Sequence, residues 1–538
     1  MRIITILIGL NLFYSPFTFS QNWPKIFGGQ TNNWSWGLIE SYDKGYIMDI
    51  QVDPGISVPQ LNARLIKTDI NGNQLWTKNI FSDFYQIFSL GLDNTYDGGF
   101  TIIGATTKLD SLNFDIFFMK FNSCGEKDWC SILSTPGNDD YGLKIKKIPN
   151  GYISLLSYFQ DQITKRIWLM KLDQFGNIIW QICYLDTNAN VWGIECEDLL
   201  VDSDNGYTIT GYGWFLPQGK RTWNRRPLII KTDSNGNQQW YLPFGQTNGF
   251  RGDLGNYPNQ NQTNGFYMAA RHFRDSGTSG GSPCFLKVSP SGQELYYKDL
   301  IPNSISGGSA TLNLTNNDSL FITAAWTDIN NTSNIGIFKS DTLGNITKTK
   351  IVAQNDIYGF NSSLFTYDNY YLALGIFQPS ASNTQVDLYK FTRELEYAPL
   401  NTQPRTYDSL CPHPIVSDTT SLDDCAVVTD VQDPIKFPEK HNLIIYPNPA
   451  NDNITIKMPQ YLSRQSSGYG VTATTYYHQW NNTTLEIYDL FGKLMYSKEI
   501  PKKIEKVELD VSSWHAGMYL ARVVFMNEVV AGAKFVVE

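Results

Sequence analysis

The chain has 538 residues, with 42 Lys plus Arg against 51 Asp plus Glu, a net charge of -9 and 17% charged residues. Aromatics at 14% and hydrophobic residues at 42% exclude a disordered chain, a coiled coil and a collagen-like fibre. The acidic balance, with no basic run, argues against nucleic acid as a partner, and after residue 20 no apolar run approaches the roughly 18 residues of a transmembrane segment.

Residues 1–20, MRIITILIGLNLFYSPFTFS, place one Arg before an apolar stretch and end in Thr18-Phe19-Ser20. Small residues at -3 and -1 predict a secretory signal peptide cut between Ser20 and Gln21. Export makes disulfides permissible.

From residue 21 to about 400 one phrase recurs. An apolar strand ends in Lys, a turn with Gly follows, and then an aromatic: LIKTDINGNQLW, FMKFNSCGEKDW, LMKLDQFGNIIW, IIKTDSNGNQQW, FLKVSPSGQELY, IFKSDTLGNITK and LYKFTRELEYAP. The lysines are Lys67, Lys120, Lys171, Lys231, Lys287, Lys339 and Lys390, between 51 and 60 residues apart. Gly72, Gly125, Gly176, Gly236, Gly292 and Gly344 sit five residues later, and Trp76, Trp129, Trp180, Trp240 and Tyr296 four beyond the first five of these. A second phrase lies between the copies, a turn and an alternating strand (KGYIMDI, GGFTIIG, NGYISLL, NGYTITG, NGFYMAA, DSLFITA, NYYLALG). Short alternating strands with Asn/Asp-Gly turns predict antiparallel hairpins. A period of this length holds about four strands, and four-stranded units repeated radially make a β-propeller. The fold class is therefore all-β, a seven-bladed β-propeller (six or eight blades being the neighbouring counts) over residues 21–400.

Trp23-Pro24-Lys25-Ile26-Phe27-Gly28-Gly29 matches the strands beginning at Trp76 and Trp240. The chain thus begins in an outer strand with no Lys strand before it. It is expected to pair with the last copy, at about 351–397, and so remove an open sheet edge. The turn Gly suits a φ above zero, and the Trp is expected to pack between neighbouring blades. The Lys–Gly–Trp phrase resembles the repeats of quinoprotein-type and Asp-box propellers, offset by about one residue. The resemblance implies a fold and no cofactor.

Residues 401–440 turn rich in Pro, Ser, Thr and Asp, the composition of a linker. From 441 to 538, LIIYPNPANDNITIKMP, LEIYDLFGKLMYSKEI and LDVSSWHAGMYLARVVFMNEVVAGAKFVVE read as a small β-sandwich. Tyr446-Pro447-Asn448-Pro449, Asp489 with Gly492-Lys493, Gly517 with Tyr519, and the final Lys534–Val537 strand resemble the type A C-terminal sorting domain of the type IX secretion system of Bacteroidetes. The resemblance implies the type IX machinery and its sortase as partners, a lipopolysaccharide surface anchor or release, and a secreted or outer-membrane-surface address reached through the periplasm. Residues 460–482 stand as an insertion in that pattern.

Candidate chemistry is sparse. Of five His, only His272 lies in the repeat region, and no His/Cys/carboxylate group has metal-ligand spacing. Gly277-Thr278-Ser279-Gly280-Gly281 spells G-x-S-x-G but lacks the strand–turn–helix setting of a nucleophile elbow. Arg251-Gly252-Asp253 and Asn138-Asp139-Asp140 read as loop sequence. No catalytic residue, cofactor or metal is expected. Of the seven Cys, Cys411 and Cys425 are expected to pair across the linker, with Cys124 and Cys130 as the other candidates beside a turn. Two functions follow: a surface module binding an unknown glycan or protein, or an extracellular carbohydrate-active or quinoprotein-like propeller enzyme. The first predicts a binding face from the loops after each Trp strand: 30–36, 82–90, 137–141, 186–193, 246–252, 303–308 and 355–360, with Trp34, Trp192 and Phe250 on it.

Overall fold

The computed structural model describes residues 23–28, 31–53, 62–108, 113–134, 139–159, 165–184, 191–215, 224–244, 252–254, 259–260, 265–273, 281–315, 319–356, 358–380, 383–428, 441–458, 460–467, 470–477, 483–490, 492–501, 504–525 and 528–538. All regular structure among them is β.

The repeated turn forms the same way in successive copies. The Oδ1 of Asp69 accepts the N–H groups of Asn71 and Asn73, both at 2.8 Å. Gly72 between them has φ +77°, a conformation costly for any residue with a Cβ. Asp173, Asp233 and Asp341 hold their turns likewise. Each turn joins the third and fourth strands of a sheet.

Among the described residues of 25–428 the strands form seven sheets, antiparallel apart from one added strand in each of the first two. The first is built on Asn32–Trp34, Tyr46–Asp53, Asn62–Thr68 and Gln74–Phe81, and the second on Tyr85–Asn94, Phe100–Lys108, Asp115–Phe121 and Lys127–Leu133. The third spans Asp140–Ile148 to Ile178–Tyr184, the fourth Val191–Val201 to Gln238–Pro243, and the fifth Gly252–Leu254 to Glu294–Asp299. The sixth spans Ser306–Leu314 to Ile346–Gln354. The seventh has Phe360–Phe365, Tyr371–Ser380 and Asn383–Phe391 from the end of the repeats, and its outer strand is Lys25–Gly28, with Ile26 opposite Asp387 and Phe27 opposite Val386. The phase of the repeat therefore foretold where the N-terminal strand goes.

Neighbouring sheets meet through one repeated contact. Where the outer strand carries a Trp, its ring lies over the turn glycine of the next sheet. A Cβ on Gly176 would stand 2.9 Å from the Trp129 ring, on Gly236 2.8 Å from Trp180, and on Gly292 2.9 Å from Trp240. The same indoles face the aromatic that begins the next sheet's second strand: Trp76 with Phe100, Trp129 with Tyr152, Trp180 with Tyr207 and Trp240 with Phe266. Trp23 repeats this for the seventh sheet, 2.9 Å from a Cβ on Gly72 and 1% exposed. Its cluster joins Leu374 and Leu388 of the seventh sheet to Tyr46, Met48 and Ile66 of the first.

The repeated Lys is explained by an Asp that the phrase did not include. Lys67 lies 2.9 Å from Asp43, with both side chains 2% exposed. Lys120 pairs with Asp97, Lys231 with Asp204, and Lys390 with Asp368. In each case the Asp sits in the turn before the second strand of the same sheet. At the third copy that turn reads Pro149-Asn150-Gly151 and has no Asp. At the sixth, Lys339 reaches Glu394, just beyond the last strand of the seventh sheet.

The C-terminal region forms a sandwich. One sheet orders His441–Asn442, Glu528–Val537, Gly517–Phe525, Thr483–Asp489 and Leu494–Ile500; the other holds Ile444–Tyr446, Asn453–Lys457 and Lys506–Asp510. Leu485, Ile487, Ile456, Val523 and Phe535 are buried between them. The insertion is a hairpin, Gln460–Ser467 with Gly470–Tyr477, paired with itself.

Two tests follow. Trp23→Ala removes the ring that joins the seventh sheet to the first and should cost about 3–5 kcal/mol in chemical denaturation; a loss near zero would disprove this role. Burial pushes Asp43 upward, but Lys67, the Asp408 N–H and Ser41 outweigh it and hold the carboxyl below its ordinary value. Its contribution is then complete above an unfolded value of about 3.9 and is lost as pH falls through the lower native one. Asp43→Asn should therefore lower the melting temperature at pH 7, with the difference shrinking below about pH 4.

Candidate functional site

The expected pairing of Cys411 with Cys425 does not form. The bonds are Cys124–Cys411 and Cys130–Cys425, spanning 287 and 295 residues. Cys183, Cys196 and Cys284 are buried thiols. The reason is the path of residues 396–428, which is a belt rather than a spacer. Ala398 donates to Lys390 O, and Asn401 and Asn71 exchange hydrogen bonds. The Tyr407 hydroxyl accepts the Ile70 N–H at 3.0 Å. Asp408 accepts the Trp76 indole N–H at 3.0 Å. Asp418–Ser421 then adds parallel to the outer strand of the first sheet, and Ala426–Val428 to that of the second. Cys411 and Cys425 lie on either side of the extended run Asp418–Ser421, so each meets a cysteine of the second sheet. Polar composition suggested a linker; here the polar groups pair with a sheet edge.

Two groups combine potential metal ligands among the described residues: Cys124, Cys411 and His413, and Cys130, Asp424 and Cys425. Both sulfurs of each are joined to one another, so neither group offers thiolates.

In the sandwich, the Asn448 side chain clamps the Pro447–Pro449 segment to the last strand, accepting the Val536 N–H at 2.9 Å and donating to Lys534 O at 3.4 Å. Asp489 accepts the Lys493 N–H at 2.9 Å across a turn in which Gly492 has φ +79°. The Tyr519 ring packs on Trp514 and Phe535, and its hydroxyl donates to His515 O at 2.7 Å. Beside Gly517 a Cβ would meet only His515 O, at 3.9 Å. Tyr446 remains 48% exposed. The motif residues thus shape one end of the sandwich and bring no acid–base pair together.

A cleft of about 410 Å³ lies among the fifth, sixth and seventh sheets. Gly307, Gly308, Ser309, Trp326, Asp356 and Tyr358 are among its walls. Loops 303–308 and 355–360 of the predicted binding face border it, and Gly281 of the G-x-S-x-G match lines it. The Asp356 carboxylate is held by the N–H of Gln378 at 2.9 and 3.0 Å and that of Tyr358 at 3.3 Å. The signal that could have found the cleft is the Gly307-Gly308 pair, which opens the sixth sheet's inner strand.

Other sequence candidates fall away from it. Trp34 and Trp36 are half-buried, and the Trp36 N–H donates to buried Asp49. Asp139 accepts the Phe114 N–H at 3.0 Å. Ser20, Gln21, Asn138, Phe250, Arg251 and residues 277–280 lie outside the described residues, as do the side chains of Trp192 and His272.

Residues 444–538 match the family described as "Secretion system C-terminal sorting domain". The chain therefore carries a type IX secretion C-terminal sorting domain, which indicates export and a surface or secreted location. No curated protein matches the sequence. Among solved structures it is similar to a protein of unknown function from Dyadobacter fermentans (6% identity, TM-score 0.38, 68% of this chain and 97% of that one). It is also similar to an α-L-arabinofuranosidase of Fusarium graminearum (12%, 0.37, 59% and 94%) and to an apocarotenoid oxygenase of Synechocystis (11%, 0.37, 59% and 71%). At these values the likenesses say nothing of activity.

Peptide mapping of the unreduced chain should recover Cys124 joined to Cys411 and Cys130 joined to Cys425; a 411–425 linkage would refute the path of the belt. Replacing Cys124 and Cys411 together by Ser should cost about 2–5 kcal/mol.

Proposed function

We propose that residues 23–428 are a closed seven-bladed β-propeller that binds its ligand through the cleft of the fifth to seventh sheets, and that the sorting domain carries it to the cell surface. Seven sheets, an apolar cluster at each junction and Trp23 at the last one support the ring. The sortase of the type IX system and a lipopolysaccharide anchor are the processing partners assigned on the sorting motif.

The observation that carries the binding reading is the make-up of the cleft. Among the described residues that line it, Asp356 is the one carboxylate and none is Lys, Arg or His. General acid–base catalysis calls for converging titratable groups, whereas hydroxyl, amide and backbone groups beside aromatic rings suit recognition.

Ala310→Arg tests the site whatever the ligand. The long side chain fills the cleft from its inner wall. The full chain should be retained on at least one immobilised glycan or protein surface, and the variant should lose that retention with its melting temperature little changed. Retention unaffected by the variant would place binding elsewhere, and turnover of a polysaccharide by the full chain would overturn the non-catalytic reading.

A further inference from the structure

The turn between Asp115–Phe121 and Lys127–Leu133 of the second sheet carries Cys124 and Glu126, and the belt lays Cys411 and His413 against it. One ligand atom from each of Cys124, Cys411 and His413 lies within 4.8 Å of the others. His413 Nδ1 stands 3.6 Å from Cys411 Sγ. Zinc bonds of about 2.3 Å to sulfur and about 2.0–2.1 Å to nitrogen, at a tetrahedral angle, set the two ligand atoms roughly 3.5 Å apart. The spacing in the belt matches that of two ligands on one zinc ion.

A second observation points the same way. The other nitrogen of the ring, His413 Nε2, faces Glu126 Oε1 at 3.5 Å. An imidazole that ligates a metal through one nitrogen characteristically gives its other N–H to a carboxylate, which fixes the tautomer and turns the free lone pair toward the ion. Glu126 is itself held, accepting a side-chain N–H of Asn122 at 2.9 Å. His413 stands between Pro412 and Pro414, whose rings restrict the backbone on both sides.

The two sulfurs are joined to one another, and non-covalent contacts hold both sides of that bond. The Leu410 N–H donates to the Tyr42 hydroxyl at 3.1 Å, and the Cys411 N–H to Asp408 O at 3.0 Å. Asp408 is anchored in turn on the Trp76 indole. On the sheet side, the Asn122 side chain accepts the Cys124 N–H at 2.8 Å. These contacts do not depend on the oxidation state of sulfur, so reduction leaves two thiols within reach of one ion. Leu410 and His413 are exposed, which opens this pair to a reductant in solvent. The other group, Cys130, Cys425 and Asp424, has no imidazole, and its carboxylate is paired with Lys127.

We propose that Cys124, Cys411 and His413 bind one Zn2+ once the bond between the two sulfurs is reduced, with Glu126 as the positioning residue. A dithiol reductant supplies two electrons and two protons and itself becomes a disulfide. The S–S bond breaks and leaves two thiols. Zinc takes both sulfurs as thiolates, releasing two protons to solvent, and accepts the Nδ1 lone pair of the neutral imidazole. Water completes the tetrahedron. Closure of the belt by sulfur in oxidising surroundings thus gives way to closure by metal in reducing ones.

The test compares the unreduced full chain with the chain reduced by a trialkylphosphine, which leaves as the phosphine oxide. Each is titrated with Zn2+ against a chromogenic chelator, and with Co2+, whose thiolate charge-transfer band reports sulfur ligands. The reduced chain should bind zinc and show the band, and the unreduced chain should do neither. His413→Ala should weaken zinc about a hundredfold and Glu126→Gln about tenfold, with the melting temperature of the unreduced chain unchanged in both. Cys124→Ser with Cys411→Ser should abolish the band. A reduced chain without the band, or zinc held as tightly by His413→Ala as by the native chain, overturns the proposal. So does a band that is kept in the Cys124→Ser, Cys411→Ser chain and lost when Cys130 and Cys425 are replaced by Ser, which would put the metal at the other group.

Discussion

The repeat region is organised by an aromatic ring seated on a turn that has no Cβ. A single sheet of four strands has two apolar faces and buries neither alone. The glycine lets the next sheet approach until an indole covers its turn, and the same glycine supplies the positive φ that the turn requires. Both needs fall on one residue, so the phrase keeps its spacing even where the loops between copies differ in length. The seventh sheet obeys this rule with residues from the other end of the chain. Trp23 takes the place that Trp76, Trp129 and Trp180 hold elsewhere.

Much of this was legible because the seat repeats. Lys, Gly and Trp stand at fixed offsets on one short stretch, and the stray N-terminal phrase revealed its phase. The buried partners of the lysines were not legible. Asp43 and Asp97 lie a whole hairpin before their lysines, with loops of different length between, so no fixed spacing marks the pair. They become visible only when the two turns of a sheet end are brought side by side.

The cysteines were misread for a related physical reason. Loop-closure arguments favour near neighbours in sequence, which made Cys411 and Cys425 look like natural partners. Chain that adds to a sheet edge is extended, however, and extension drives such neighbours apart. The cleft escaped notice because it is defined by what is absent. Gly307 and Gly308 read as turn residues, and nothing in their spacing marks a concavity between sheets.

The belt also changes what a cut in the chain can do. Its two sulfur bridges tie the second sheet to the segment after the seventh. Any single nick between Cys130 and Cys411 leaves both pieces joined by two covalent bonds. The loops bordering the cleft lie inside that interval. A protein delivered outside the cell meets proteases there, and this one keeps its halves in one molecule after being cleaved. Its outline as a covalent object is a closed circuit, and the order in which residues follow one another matters less to its integrity than the oxidation of four sulfurs.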